Sequence, residues 1–265
     1  MDLSIQGNVA LVTASSSGLG KASAKALAAE GVHVVINGRD ESRLSHAVEE
    51  VADVAAVGAE VVGHPGDLTE PTDVDELVAR PIEEFGHLDH VVTSAGGPPS
   101  KPFLETTDEE WYEAYDLLVM SVVRTVRAAV PELRDSEAGT IINITSASVK
   151  EAIDELVLSN SVRMSVIGLE KTLANELGPE IRANAVLPGT HETPRIEELV
   201  EQGVERGTYD SYEAGLDDWA DGIPLERIGS PMELGQLVAF LSSPVSAYLN
   251  GVAIPVDGGA GASNL

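Results

Sequence analysis

Short runs of apolar, often β-branched residues alternate along the chain with longer stretches in which apolar positions recur at helical spacing. The runs are Val9 to Val12, Val32 to Ile36, Val61 to Val62, Leu88 to Val92, Thr140 to Ile144, Ala183 to Leu187 and Val252 to Val256, and each reads as a strand. Between them, Leu19 to Ala29, Glu41 to Val57, Val74 to Phe85, Glu109 to Arg134, Val162 to Leu177 and Met232 to Leu241 carry helical patterns. Strands apolar on both faces and separated by helices predict a doubly wound α/β fold of Rossmann type. Its parallel sheet would have about seven strands, with helices on both faces, in a single domain. One stretch, Thr190 to Gly229, is read as irregular and is rich in glycine, acids and aromatics, among them Tyr209, Tyr212 and Trp219. An excursion of that length after a strand predicts a lid or substrate loop, with a variable surface insertion as the alternative.

Composition narrows the functions open to this fold. Of the 265 residues, 43% are apolar, enough for a substantial core. No apolar run approaches the roughly 18 residues that span a bilayer. The first residues have no basic stretch leading into an apolar one, so a cytoplasmic protein without a membrane partner is expected. With no cysteine there can be no disulfide, thiolate metal site or cysteine nucleophile. Redox chemistry must therefore come from a bound cofactor, and no metal site is expected.

Charge removes a further class. The chain carries 44 acidic and 16 basic residues, a formal net charge of −28, which repels nucleic acid. It also repels itself, and salt relieves that: the Debye length falls to about 3 Å at 1 M. The acids are spread along the chain and arginine outnumbers lysine. Adaptation to a salt-rich cytoplasm is expected, with an acidic functional patch as the alternative.

Candidate chemistry begins after the first strand, at Thr13-Ala14-Ser15-Ser16-Ser17-Gly18-Leu19-Gly20. Glycines at a strand-to-helix turn let backbone approach a pyrophosphate, and the helix N-terminus supplies free N–H groups; a plain serine-capped helix start is the alternative. The second strand leads into Gly38-Arg39-Asp40. An acidic side chain at that tip would receive the ribose hydroxyls of NAD, whereas an arginine accommodates the 2′-phosphate of NADP. Arg39 therefore predicts NADP(H), unless it pairs on the surface with Asp40 or Glu41.

Taken together, these motifs resemble the short-chain dehydrogenase/reductase family over nearly the whole chain. TASSSGLG is similar to the family's TGxxxGxG, with Ala14 in place of the first glycine. Asp67 and Leu68 resemble the family's adenine contact, and Ser94-Ala95-Gly96 stands within its Asn-Asn-Ala-Gly motif. GTIINITS, IRANAVLPGT with Pro188 and Gly189, and GVAIPVDGG match later strands. The nearest resemblance is to reductases like 3-oxoacyl-ACP reductase. It implies an NADP(H)-dependent carbonyl reductase or alcohol dehydrogenase that pairs as a homodimer or homotetramer.

At the catalytic positions the likeness breaks. Ser146 matches the family serine, but thirteen residues on, where the family has tyrosine, stands Ser159, and Arg163 replaces the lysine four further. Leu118 stands where an asparagine would. A serine hydroxyl cannot be tuned into a general acid as a tyrosine can, and arginine stays protonated. Arg163 is thus expected to bind ribose and stabilise charge. Lys150 is the first substitute proton donor and His191 the second, a solvated lysine and a structural histidine being the alternatives. Gly96-Gly97-Pro98-Pro99, Val149-Lys150-Glu151 and the Ser-Asn…Arg pattern resemble a subgroup that lacks the full tetrad. The alternative function is a catalytically inactive dinucleotide-binding or interaction protein.

The charge density makes one outcome testable at once: in thermal unfolding, the midpoint rises between low and molar salt. A flat or falling midpoint contradicts salt adaptation.

Overall fold

The computed structural model describes residues 1–263. In chain order the elements are β1 (Val9–Val12), α1 (Gly18–Ala29), β2 (His33–Gly38), α2 (Glu41–Ala52), β3 (Val61–Pro65), α3 (Pro71–Phe85) and β4 (His90–Thr93). There follow α4 (Asp108–Tyr115), α5 (Ser121–Asp135), β5 (Thr140–Ile144), α6 (Val157–Glu176) and β6 (Arg182–Pro188). The last part holds α7 (Pro194–Glu205), α8 (Tyr212–Ala220), α9 (Pro231–Ser242) and β7 (Ala253–Val256).

All seven strands form one parallel sheet in the order β3-β2-β1-β4-β5-β6-β7. The doubly wound Rossmann architecture read from the sequence is the one observed. Side chains alternate across the sheet and so build two cores. Leu11, Val35, Val91 and Ile141 pack with α3, α5 and α6 on one face. Ala10, Val12, Val34, Val92 and Ile142 pack with α1, α2 and α9 on the other. Because the chain leaves β1 toward β2 and β3 and then returns to β4, connections diverge between β1 and β4. The crevice at their carboxyl ends is the ligand position of such sheets.

Two expectations are corrected. The single helix expected over Glu109 to Arg134 is two, joined by a π-helical turn at Asp116–Met120 in which the Ser121 N–H bonds back to the Asp116 carbonyl. Such a turn inserts one residue into the helical repeat, and it carries Leu118 into the core at 2% exposure. The stretch from Thr190 to Gly229 contains α7 and α8 rather than irregular chain. Its period was masked by acids: Ile196 and Val200 face inward while the surrounding glutamates face water. The two ends of the excursion are clasped, Glu192 N–H to Gly229 O and Gly229 N–H to Thr190 O, both at 2.9 Å.

Beneath β5 lies a buried carboxyl. Glu170 on α6 is 2% exposed and accepts a bond from Asn143 Nδ2, while its Oε1 has no partner among the described residues. Burial raises its pKa from 4.5 to about 8, against the opposing pull of Asn143 and Lys171. Between those values the folded chain holds a proton that the unfolded chain releases, so stability falls as pH rises through that window. Glu170→Gln is expected to unfold several degrees higher than the parent at pH 8 and to lose that advantage near pH 4.5. Parallel unfolding curves across the range would contradict it.

Candidate active site

The glycine turn between β1 and α1 is shaped by close contacts. A Cβ on Gly20 would lie 2.6 Å from the Ala14 carbonyl oxygen, so only glycine lets α1 start there. Ala14 itself has φ +44, a conformation that glycine accepts freely and alanine does not. The turn is held from below by Asn37, 1% exposed, whose Oδ1 accepts from Ala14 N at 3.1 Å. Its Nδ2 donates to the His64 and Gly66 carbonyls, each at 3.2 Å.

Above this turn opens a cavity of about 660 Å³. Of the residues expected to hold a dinucleotide, Ser16 to Gly20, Arg39, Asp67, Leu68, Ser94, Ala95, Gly96 and Arg163 all line it. Thr13 and Ser15 do not. Thr13 Oγ1 donates to Ser94 O at 2.7 Å and accepts from Ser94 N at 2.8 Å. Ser15 Oγ donates to Val12 O at 2.6 Å and accepts from Asn37 N at 2.9 Å. Both side chains are spent bracing the wall from behind. Pro188 and Gly189 line a second cavity instead.

The first cavity draws cations together. Arg39, Arg43, Arg163 and Arg195, four of the chain's 16 basic residues, line it. Arg39 is 77% exposed and lies 3.6 Å from Asp67, across the crevice, not beside Asp40 or Glu41. Asp40 instead caps α2 by accepting from Arg43 N. Burial opposes ionisation of Asp67, but bonds from Thr69 and the Arg39 charge outweigh it and lower its pKa. A Cβ on Gly38 would approach Ser16 Cβ to 2.8 Å, which leaves no room for an acidic side chain at that tip. Arg43 and Arg195 were missed by sequence reading. Arg43 sits in the first turn of α2, where spacing from the glycine turn gives no signal. No side chain caps the start of α1, so its free N–H groups face the cavity. Guanidinium groups and backbone N–H donors together suit a ligand carrying several phosphates.

The second cavity, about 1220 Å³, is continuous with the first through Leu19, Gly97, Thr145, Arg163, Thr193 and Arg195. It collects Ser146, Lys150, Ser159 and His191 on one wall system. Ser146 Oγ accepts from Ser148 N at 3.1 Å, leaving its hydroxyl proton to be donated, and Ser159 Oγ lies 3.1 Å from Ser148 Oγ. Arg163 is 8% exposed; burial lowers its pKa to about 10, so it keeps its charge at neutral pH. Lys150 is exposed, with no side-chain partner among the described residues.

His191 is corrected as a proton donor. It is 4% exposed and burial lowers its pKa, with Gly189 O and Glu233 pulling the other way. Nδ1 bonds to Gly189 O at 3.1 Å, which places the ring proton there, and Nε2 is buried beside Gly229. A neutral ring with its bare nitrogen shielded offers no proton to the cavity. Of the aromatics, Trp219 lines the cavity, while Tyr209 and Tyr212 spend their hydroxyls on Asp218 and Glu192, each at 3.1 Å.

Residues 13–261 match the family model for enoyl-(acyl carrier protein) reductase. The chain belongs to the short-chain dehydrogenase/reductase family. It is similar to the putative ketoacyl reductase of the monensin polyketide synthase of Streptomyces virginiae, 34% identical over 96% of this chain and 97% of that protein. A 3-oxoacyl-[acyl-carrier-protein] reductase of Synechocystis is 32% identical over 95% and 96%. Among solved structures, L-sorbose reductase from Gluconobacter frateurii, complexed with NADPH and L-sorbose, superposes with a TM-score of 0.93 at 32% identity. That match covers 99% of this chain and 100% of the other. An actinorhodin polyketide ketoreductase with NADPH gives 0.88 at 29% identity, over 97% and 98%.

The strained turn yields a prediction. Ala14→Gly removes the side chain that opposes φ +44 and is expected to stabilise the fold by about 1 kcal/mol. Urea unfolding midpoints would measure it, and an unchanged or lower midpoint would contradict strain at this position.

Proposed function

We propose that this oxidoreductase uses NADP(H) to interconvert a carbonyl and an alcohol on a small molecule, with a catalytic apparatus that departs from the family pattern. The observation that carries the reading is the ring of Arg39, Arg43, Arg163 and Arg195 around the glycine-turn cavity of a chain with net charge −28. In a shell that repels anions, cations gathered at one crevice mark where a polyphosphate is wanted. Arg39 and Arg43 would take the 2′-phosphate, and the turn from Ser16 to Gly20 the pyrophosphate. NADPH, when bound, supplies the hydride.

The protein's own part is binding, orientation and one proton. Ser146, with its hydroxyl proton free, orients the substrate oxygen. Arg163 holds the ribose and stabilises negative charge developing on that oxygen. Lys150, unpaired on the same wall as Ser146, supplies the proton. The segment from Thr190 to Gly229 serves as a lid, a role supported by Trp219 and Arg195 reaching from it into the cavity. Copies of the chain pair through the helices from α4 to α5, through α6 and through β7, a reading supported by Tyr112 and Tyr115 on α4 and Met164 on α6, which leave apolar surface exposed.

Calorimetric titration with NADPH and NADH, followed by a carbonyl and alcohol panel at high salt, tests the reading. NADPH is expected to bind at least tenfold more tightly than NADH, and Arg39→Asp to erase that preference. Lys150→Ala is expected to lower kcat by about 10²-fold or more with NADPH affinity kept. Tight NADPH binding without turnover on any member of the panel would favour the alternative, a fold-keeping binding protein.

A further inference from the structure

Arg163 is buried, yet the one hydrogen bond of its guanidinium among the described residues is Nη2 to Gly96 O, at 3.4 Å, and Nε has none. A guanidinium carries five N–H donors, and donors left unmade in the interior are costly. One turn earlier on α6, Ser159 lies against the second cavity, at the position where the family carries tyrosine. The two departures are complementary. Loss of a phenol ring opens space, and exchange of a lysine for an arginine puts a planar fork beside that space. A lysine offers a point charge, whereas a guanidinium offers parallel N–H pairs that match a carboxylate.

We propose that the space between Arg163 and Ser159 is a carboxylate subsite, so that the substrate is a small acid with its carboxylate next to the reacting carbon, as in a 2-oxo or 2-hydroxy acid. Arg163 lines both cavities, which places the carboxylate at their junction and allows one edge of the fork to serve each side. The carboxylate site rests on Arg163 and Ser159 alone; the neighbouring cofactor and the reacting carbon rest on the oxidoreductase reading.

The other charges around the cavity leave Arg163 unopposed. Three carboxylates line it. Glu151 accepts from Ala262 N at 2.9 Å, and Asp257 accepts from Gly259 N and Gly261 N at 2.9 and 3.1 Å, so both are engaged by the C-terminal segment. Asp154 is exposed. Lys150 has no partner among the described residues, and Arg195 has only a long pair to Glu198 at 3.6 Å. Of the three cations in the lining, Lys150, Arg163 and Arg195, only Arg163 is buried, and no carboxylate pairs with it.

The test is calorimetric titration with oxamate and with its uncharged methyl ester, each in the presence and absence of NADPH. Oxamate is expected to bind at least tenfold more tightly than the ester. Arg163→Gln should abolish the preference and Arg163→Lys retain part of it. Ser159→Tyr, which refills the space and leaves the guanidinium in place, should block oxamate while NADPH still binds. Equal binding of acid and ester, or undiminished oxamate binding by Ser159→Tyr, overturns the subsite. Failure of NADPH to bind counts against the oxidoreductase reading alone, because the acid-to-ester ratio is also measured without it.

Discussion

One buried amide governs the geometry on which everything else rests. Asn37 reaches from the end of β2 to the turn after β1 and to the segment after β3, and its side chain satisfies backbone groups at both. Ser15 reinforces the link by accepting the Asn37 N–H. Three connections that share no sequence neighbourhood are thereby fixed to one another. With low dielectric around it, a fully bonded amide of this kind is rigid, and a half-bonded one would be costly. The cradle for phosphate groups is thus an outcome of hydrogen bonding beneath it, before any ligand arrives.

Several cations of the surface are held by carboxylates. Lys21 and Lys25 share Glu50, Lys101 meets Glu110, Arg124 meets Asp116 and Arg227 meets Glu233. Arg43, Lys150 and Arg163, which line the two cavities, have no carboxylate partner among the described residues, whereas Arg39 and Arg195 in the same walls hold long pairs to Asp67 and Glu198. At Arg43, Lys150 and Arg163 an anion has no internal carboxylate to displace first.

Much of this was legible in the sequence, for identifiable reasons. The sheet was readable because its strands are buried on both faces and are written as continuous apolar runs such as Val9 to Val12. The crevice was readable because the glycine turn and Arg39 are local features with fixed spacing. What escaped depended on packing. The π-helical turn at Asp116–Met120 leaves no trace in periodicity, because Leu118 and Val119 suit a helix interior of either register. Helices α7 and α8 were hidden by acids on their outer faces. That Thr13 and Ser15 brace the cavity, that Arg43 and Arg195 face it, and that His191 buries its bare nitrogen were all decided by neighbours distant in sequence. The Gly229 backbone, for example, is what shields His191.

The clasp between Thr190, Glu192 and Gly229 carries a consequence for how such a molecule diversifies. Once both feet of an excursion are bonded together, the entropy of closing it grows only slowly with the length in between. Segments inserted, deleted or exchanged beyond the clasp therefore leave β6 and α9 in register. The region from α7 to α8 can thus change in length and sequence without shifting the sheet, its tie to the glycine-turn cavity being confined to Thr193, Pro194 and Arg195 at the start of α7.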